Sequence, residues 1–191
     1  MNKIFFDIET KNTFSDVGSN DPSALSLSVV CTYDSATDLY QSFLEDELQN
    51  LWPIFEKADL LIGFNIDHFD IPILNKYYSG DLKKIKTLDL LKEVKNILGR
   101  RIKLDTLTEA TLGQNKSGDG LDAIRWWRKG EIQKVRDYCI DDVRITRELY
   151  EYAKKNGHVK YLDGKTLKVI KLNTANWEKQ ADSATAQTLP F

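Results

Sequence analysis

Two carboxylates, Asp7 and Glu9, end an otherwise apolar stretch near the start of the chain, Lys3-Ile4-Phe5-Phe6-Asp7-Ile8-Glu9-Thr10. The stretch has strand-forming character, and in an extended chain residues two apart share a face. Ionised carboxylates held side by side repel, so on a buried strand the pair is unfavourable unless a cation sits between them. Two readings follow: a site for a hard divalent metal, or an edge strand whose solvent face is acidic. Two further carboxylates bear on the choice. Residues 60–65, Leu-Leu-Ile-Gly-Phe-Asn, form a short apolar run of the kind found in strands buried on both faces beside a parallel neighbour. Beyond it Asp70 precedes Pro72 at a predicted helix start, where it either faces a cleft at the strand end or caps the helix. In the longest helical pattern, 131–155, Tyr138 and Asp142 stand four apart and share a face with Val135 and Ile145 or Thr146. That face points inward, and an inward carboxylate requires a metal or a basic side chain.

The elements that must position these residues are legible in outline. The chain has 191 residues, 41% hydrophobic and 29% charged, which suits one soluble domain with a substantial core. A net charge of -2 gives no global basic field, so nucleic acid would need a local basic surface. Cys31 and Cys139 fit neither a zinc spacing nor a disulfide framework and read as core thiols of a reducing compartment. No basic leader and no apolar run of membrane length stands out, so a cytoplasmic protein is expected. After a loop at 11–24, strands at 25–33 and 38–43 are joined by a turn at 34–37, making an antiparallel three-strand meander with the first. Residues 45–58 carry Leu48, Leu51, Trp52 and Phe55 at helical spacing, interrupted by Pro53. Residues 83–113 alternate basic and apolar side chains as an amphipathic helix with a basic outer surface would, the best local candidate for contacting phosphates, and 104–112 reads as a second short helix that Gly113 ends. A loop at 114–120 and a helix at 121–128 follow, the latter carrying Trp126 and Trp127, which either stack bases or pack a core. A hairpin is expected at 159–171 and a frayed tail at 181–191. The predicted division is a catalytic domain at 1–155, a hairpin extension at 156–175 and a tail at 176–191.

In chain order, Asp7-x-Glu9, Asn65-x-x-x-Phe69-Asp70 and Tyr138-x-x-x-Asp142 resemble the three motifs of the DEDD 3'-5' exonucleases of the ribonuclease H-like superfamily, a likeness spanning residues 1–155. Tyr138 is similar to the DEDDy branch, seen in family B DNA polymerase proofreading domains and in ribonuclease D; neither His68 nor His158 stands where the other branch has its histidine. Gly63-Phe64-Asn65 and the region from Lys116-Ser117-Gly118-x-Gly120 through Trp126-Trp127 are closer to stand-alone exonucleases of the YprB type.

The resemblance implies an α/β fold with a ribonuclease H-like mixed sheet, the antiparallel meander plus parallel strands, flanked by helices. It implies two divalent ions, Mg2+ or Mn2+: Asp7 bridging both, Glu9 and Asp142 completing the shell of one, Asp70 holding the other largely through water. Tyr138 would orient the attacking water, since a phenol is mostly protonated at neutral pH. Thr10, Phe14, Asn65 and Lys116 are the candidate substrate contacts, with Asp67 and Asp141 as second choices for the acidic positions. The implied activity is 3'-5' hydrolysis of single-stranded nucleic acid, DNA ahead of RNA, to nucleoside 5'-monophosphates, alone or in association with polymerase, helicase or repair proteins. The rivals are a structure-specific endonuclease of the same superfamily and a catalytically idle nucleic-acid-binding module.

Overall fold

A computed structural model describes residues 1–114 and 120–179. The calls on Lys116, on most of the 114–120 loop and on the tail at 181–191 lie outside these residues. Strand β1 (Lys3–Thr10) is the middle of a five-stranded sheet. It pairs antiparallel with β2 (Leu27–Asp34), which pairs antiparallel with β3 (Leu39–Leu44), the expected meander. On its other side β1 runs parallel to β4 (Leu60–Gly63), and β4 runs parallel to β5 (Thr87–Asp89). The order is β3-β2-β1-β4-β5, a mixed sheet.

Alternation along β1 divides the molecule. Ile4, Phe6 and Ile8 enter one core, with Phe55, Ile66 and Ile71, under the short helices α1 (Phe14–Val17), α2 (Trp52–Glu56) and α3 (Asp70–Leu74). Phe5 enters the other core, and Asp7 and Glu9 share its side of the pleat. That side is covered by α4 (Leu90–Leu98), α5 (Leu104–Leu112), α6 (Gly120–Arg128) and the long α7 (Ile132–Asn156). The buried stripe of α7 runs Val135, Tyr138, Cys139, Asp142, Val143, Thr146, Leu149, Tyr150 and Ala153, at helical spacing. Apolar burial along this stripe is therefore what carries Tyr138 and Asp142 onto the sheet.

β4 is apolar on both faces because it lies between two strands and under both layers; Leu60, Leu61 and Ile62 are each 0% exposed. It stops at Gly63 for a steric reason. A Cβ there would lie 2.8 Å from the Phe6 carbonyl oxygen and 2.3 Å from Ile66 Cγ2, so only glycine lets the chain turn this close to β1.

Two expected helices come out differently. Residues 45–58 form a 3-10 turn, Glu45–Asn50, and then α2, with Pro53 in the first turn of the latter. Proline lacks an amide hydrogen and its ring clashes with the preceding turn, so one continuous helix cannot run through it. Residues 83–113 resolve into the end of a 3-10 turn, Leu82–Lys84, then β5, α4 and α5. Asp89 divides strand from helix: its carboxylate caps α4 through the amides of Leu91 (2.9 Å) and Lys92 (3.3 Å). Even so, Lys92, Lys95, Arg100, Arg101 and Lys103 remain exposed.

The expected hairpin forms, β6 (His158–Asp163) against β7 (Thr166–Lys171), directly after Gly157 ends α7 in the left-handed conformation at φ 69. Its inner residues Val159, Tyr161 and Ile170 are buried with α5 and α7. Residues beyond it are tied down as well. Trp177 is 4% exposed, stacks on Tyr150 with ring centroids 5.6 Å apart, and donates Nε1–H to Glu93 at 2.8 Å. Glu178 accepts from Lys3 (3.0 Å), lies 3.3 Å from Lys154 and accepts from the Tyr150 hydroxyl. These donors draw its carboxyl down to about 2. A carboxyl lowered on folding contributes stability above its unfolded value, and that contribution is lost as pH falls toward about 2. Between pH 5 and 2 the melting temperature of the wild type should thus fall more steeply than that of Glu178→Gln, as followed by circular dichroism. Among the described residues no helix is long and apolar enough to cross a membrane.

Candidate active site

Asp7 and Glu9 project from the central strand, and Asp142 descends on them from α7. One carboxylate oxygen of each lies within 4.8 Å of those of the other two. Glu9 is 7% and Asp142 5% exposed, and Asp7 is half-buried, so the exposed-edge reading of the first pair does not hold: β1 is an inner strand. Three buried or half-buried carboxylates this close repel unless protons or cations share them. An all-oxygen donor set from carboxylates fits a hard divalent ion, and the cluster is a group that could hold one. Behind it, the Cys139 thiol, wholly buried, donates to the Asp7 carbonyl oxygen at 3.4 Å and fixes the strand under the helix.

Asp70 stands at the margin of this triplet and outside it. It is the first residue of α3, is 3% exposed, and its Oδ1 has no hydrogen-bond partner. Burial, and secondarily the charge of Asp89, raise its carboxyl well above the ordinary range, while backbone amides, including that of Ile8, pull the other way. Ile8 lies between Asp7 and Glu9, so the Asp70 carboxyl reaches the strand that carries them. An unsatisfied buried oxygen is what a cation or its water would satisfy.

Tyr138 is 5% exposed. Burial first, then the charges of Asp142, Glu9, Asp7 and Asp105, push its phenol up, so at neutral pH it is protonated and offers a hydrogen bond. The two second-choice acids are occupied elsewhere. Asp67 accepts from Thr87 Oγ1 (2.7 Å) and Lys92 (2.8 Å), and Asp141 pairs with Arg144 at 2.6 Å.

Two cavities meet the triplet. One of about 470 Å³ is lined by Asp7, Asn65, Arg101, Asp105, Tyr138 and Asp142. The other, about 380 Å³ and more apolar, is lined by Glu9, Thr10, Phe14, Phe69, Leu121 and Ile124. Of the expected substrate contacts, Asn65 therefore borders the first cavity, and Thr10 and Phe14 the second. Phe14 meets Phe69 edge-on at 6.2 Å. Trp126 and Trp127 are half-buried against the core, Trp126 edge-on to Tyr138 at 5.9 Å, which is the packing alternative for both. Sequence reasoning did not single out Asp105 or Asp89, which the fold alone brings in. It had Phe69 only as part of the second motif and Arg101 only as one cation of the basic 83–113 segment.

Asp89 shapes the turn after β4. Beyond capping α4 it accepts from the amides of Asn65 (2.8 Å) and Asp67 (3.2 Å). Asn65 is thereby held at φ 70, in the left-handed region that asparagine tolerates better than most residues.

Residues 4–154 match the family model described as the RNase_H superfamily. No curated protein matches the chain. Among solved structures, the chain is similar to the family B DNA polymerase from the hyperthermophilic archaeon Pyrobaculum calidifontis, at 18% identity and a TM-score of 0.60, over 80% of this chain and 24% of that one. It is also similar to E. coli exonuclease I in complex with a 5cy-dT13 oligonucleotide, at 12% identity and a TM-score of 0.48, over 81% of this chain and 41% of that one. The chain thus spans less than half the length of either structure. With its mixed β3-β2-β1-β4-β5 sheet, its flanking helices and a family match over most of its length, the chain belongs to the RNase_H superfamily.

Proposed function

We propose that this protein is a metal-dependent 3'-5' exonuclease of the DEDDy type, acting on single-stranded nucleic acid, DNA ahead of RNA, and releasing nucleoside 5'-monophosphates. The observation that carries the reading is the convergence of Asp7, Glu9 and Asp142 within 4.8 Å where two cavities meet, with Tyr138 lining the first of them. Asp7, Glu9 and Asp142 would hold one divalent ion, Mg2+ or Mn2+, and Asp70, reaching the same strand with an unpartnered oxygen, would help hold a second. Bound ions of this class lower the pKa of a water and stabilise the departing oxygen of a phosphodiester. The rest falls to the chain itself. Tyr138, kept neutral by its surroundings, orients the attacking water by hydrogen bond and cannot serve as the base. The apolar cavity takes the 3'-terminal nucleoside, its base between Phe14, Phe69 and Ile124 and its sugar near Thr10, leaving the scissile phosphate over the triplet.

The catalytic unit is residues 1–155, with the β6–β7 hairpin as an extension; it works in the cytoplasm, alone or beside polymerase, helicase or repair proteins. End-labelled single-stranded DNA and RNA incubated with Mg2+ test the reading. A one-nucleotide ladder growing from the 3' end is expected; internal cuts would make the protein an endonuclease, and no turnover in Mg2+ or Mn2+ would make it a binding module. Tyr138→Phe removes one oxygen from a packed ring, so the fold should persist while kcat falls about 10²-fold, the usual cost of one donor aimed at the reacting atoms. Single-turnover kinetics with saturating enzyme in excess over the oligonucleotide would check it, and an unchanged rate would remove Tyr138 from the mechanism.

A further inference from the structure

Asn65, Leu91 and Arg101 line the catalytic cavity and also a neighbouring cavity of about 490 Å³, so these three residues separate the two. The neighbouring cavity is bordered in addition by His68, Asp89, Lys92 and Lys95. Its charges do not cancel evenly. Asp67 is paired with Lys92 at 2.8 Å. Asp89 is surrounded by four backbone amides, those of Asn65, Asp67, Leu91 and Lys92, which disperse whatever charge it carries. Lys95 and Arg101 are exposed and form no ion pair among the described residues, so two cationic heads face this space without an acidic partner.

Arg101 is also placed differently from its neighbour. The Arg100 guanidinium lies over the Tyr161 ring, 5.6 Å from its centroid, and is directed toward the hairpin. Arg101 instead donates from Nη2 to the side-chain carbonyl of Asn65 at 2.7 Å, a neutral acceptor that leaves its charge uncompensated and its remaining donors available. Asn65 is in turn held by its backbone bond to Asp89 and its left-handed conformation. The arginine is thus parked on a fixed post between the two cavities.

We infer that the neighbouring cavity is a second phosphate site, binding the backbone of the same single strand on the 5' side of the scissile bond, with Arg101 as its principal ligand and Lys95 as an accessory charge. The site rests on the exonuclease reading for the direction of the strand. Its ligand class, a phosphodiester, follows from the planar fork of a guanidinium beside a second cation, a match to phosphate oxygens.

The test is equilibrium binding of a 5'-fluorescein heptathymidylate by anisotropy, with Ca2+ in place of Mg2+ and over a range of salt. Arg101→Ala should weaken binding about tenfold and Lys95→Ala about three-fold, and loss of one phosphate contact should flatten the slope of log K against log salt by about 0.7. Arg101→Lys should restore the slope and only part of the affinity, because the charge survives without the fork. Arg100→Ala should bind within about two-fold of wild type if only the parked arginine meets phosphate. Arg101→Ala binding as tightly as wild type, or Arg100→Ala being as harmful as Arg101→Ala, would overturn the site. Because binding is read without turnover, the two readings fail separately. A wild type that binds through Arg101 and cuts nothing keeps the second phosphate site and loses the exonuclease; one that cuts and is indifferent to Arg101 does the reverse.

Discussion

Asp7→Ala should yield a folded protein that no longer cuts. Asp7 belongs to the carboxylate triplet and lines the catalytic cavity, so it is the residue most exposed to both ion and substrate. Removing it leaves Glu9 and Asp142 from different elements with no common bridge, and loss of a ligand at a metal site of this kind costs at least about 10³-fold in rate when the ion stabilises the transition state. Stability should move the other way. In EDTA the three carboxylates repel, and deleting one relieves the repulsion, so the variant should melt no lower than wild type. Adding Mg2+ or Mn2+ should raise the melting temperature of the wild type and leave that of Asp7→Ala nearly still, because a ligand that binds only the folded state stabilises it by mass action. Paired thermal melts and oligonucleotide digestion check both halves. A rate within a few-fold of wild type would remove the metal assignment.

Trp177→Ala should be strongly destabilising although it lies far from the site in sequence and beyond the last strand. The side chain is 4% exposed, closes a core of Leu90, Val94, Leu149, Val159 and Leu172, and makes both a stack on Tyr150 and a hydrogen bond to Glu93. Truncating a buried tryptophan costs about 3–5 kcal/mol from lost burial and the cavity left behind. For a chain of this length that is a fall in melting temperature of roughly 10 °C. Urea titration should show a lower midpoint with the slope retained, and at 10 °C, where the variant is still folded, cleavage should match wild type. An effect below about 1 kcal/mol would mean that residues after β7 add nothing to the core.

How far the chain could be read in advance depended on range. The Asp7 and Glu9 pair was legible because strand alternation is local, and Asp142 because its four-residue spacing from Tyr138 and the apolar stripe around it are properties of one helix. β4 announced itself by an unbroken apolar run, and the hairpin by Asp163-Gly164 at its turn. Other features were hidden because they exist only between elements. β5 is three residues long and its pairing with β4 has no periodic trace, so its segment read as helix. Asp89 fell inside that segment, and its part shows only once the turn after β4 is seen hanging from it. Arg101 was one cation in a basic run until its neighbour turned toward Tyr161 and it turned toward Asn65. Trp177 fell in a stretch assigned to a tail, because one aromatic among polar residues gives no pattern.

The convergence of β1 with α7 also has a consequence for biosynthesis. Asp7 and Glu9 emerge from the ribosome well ahead of α7, and their strand can pair with β2 long before residue 142 has been translated. A nascent chain therefore displays two acidic groups and no enclosure for an ion. Hydrolytic competence would arrive in one step, when α7 docks, and any halted or truncated product lacking that helix would be inert toward the messenger still threaded beside it.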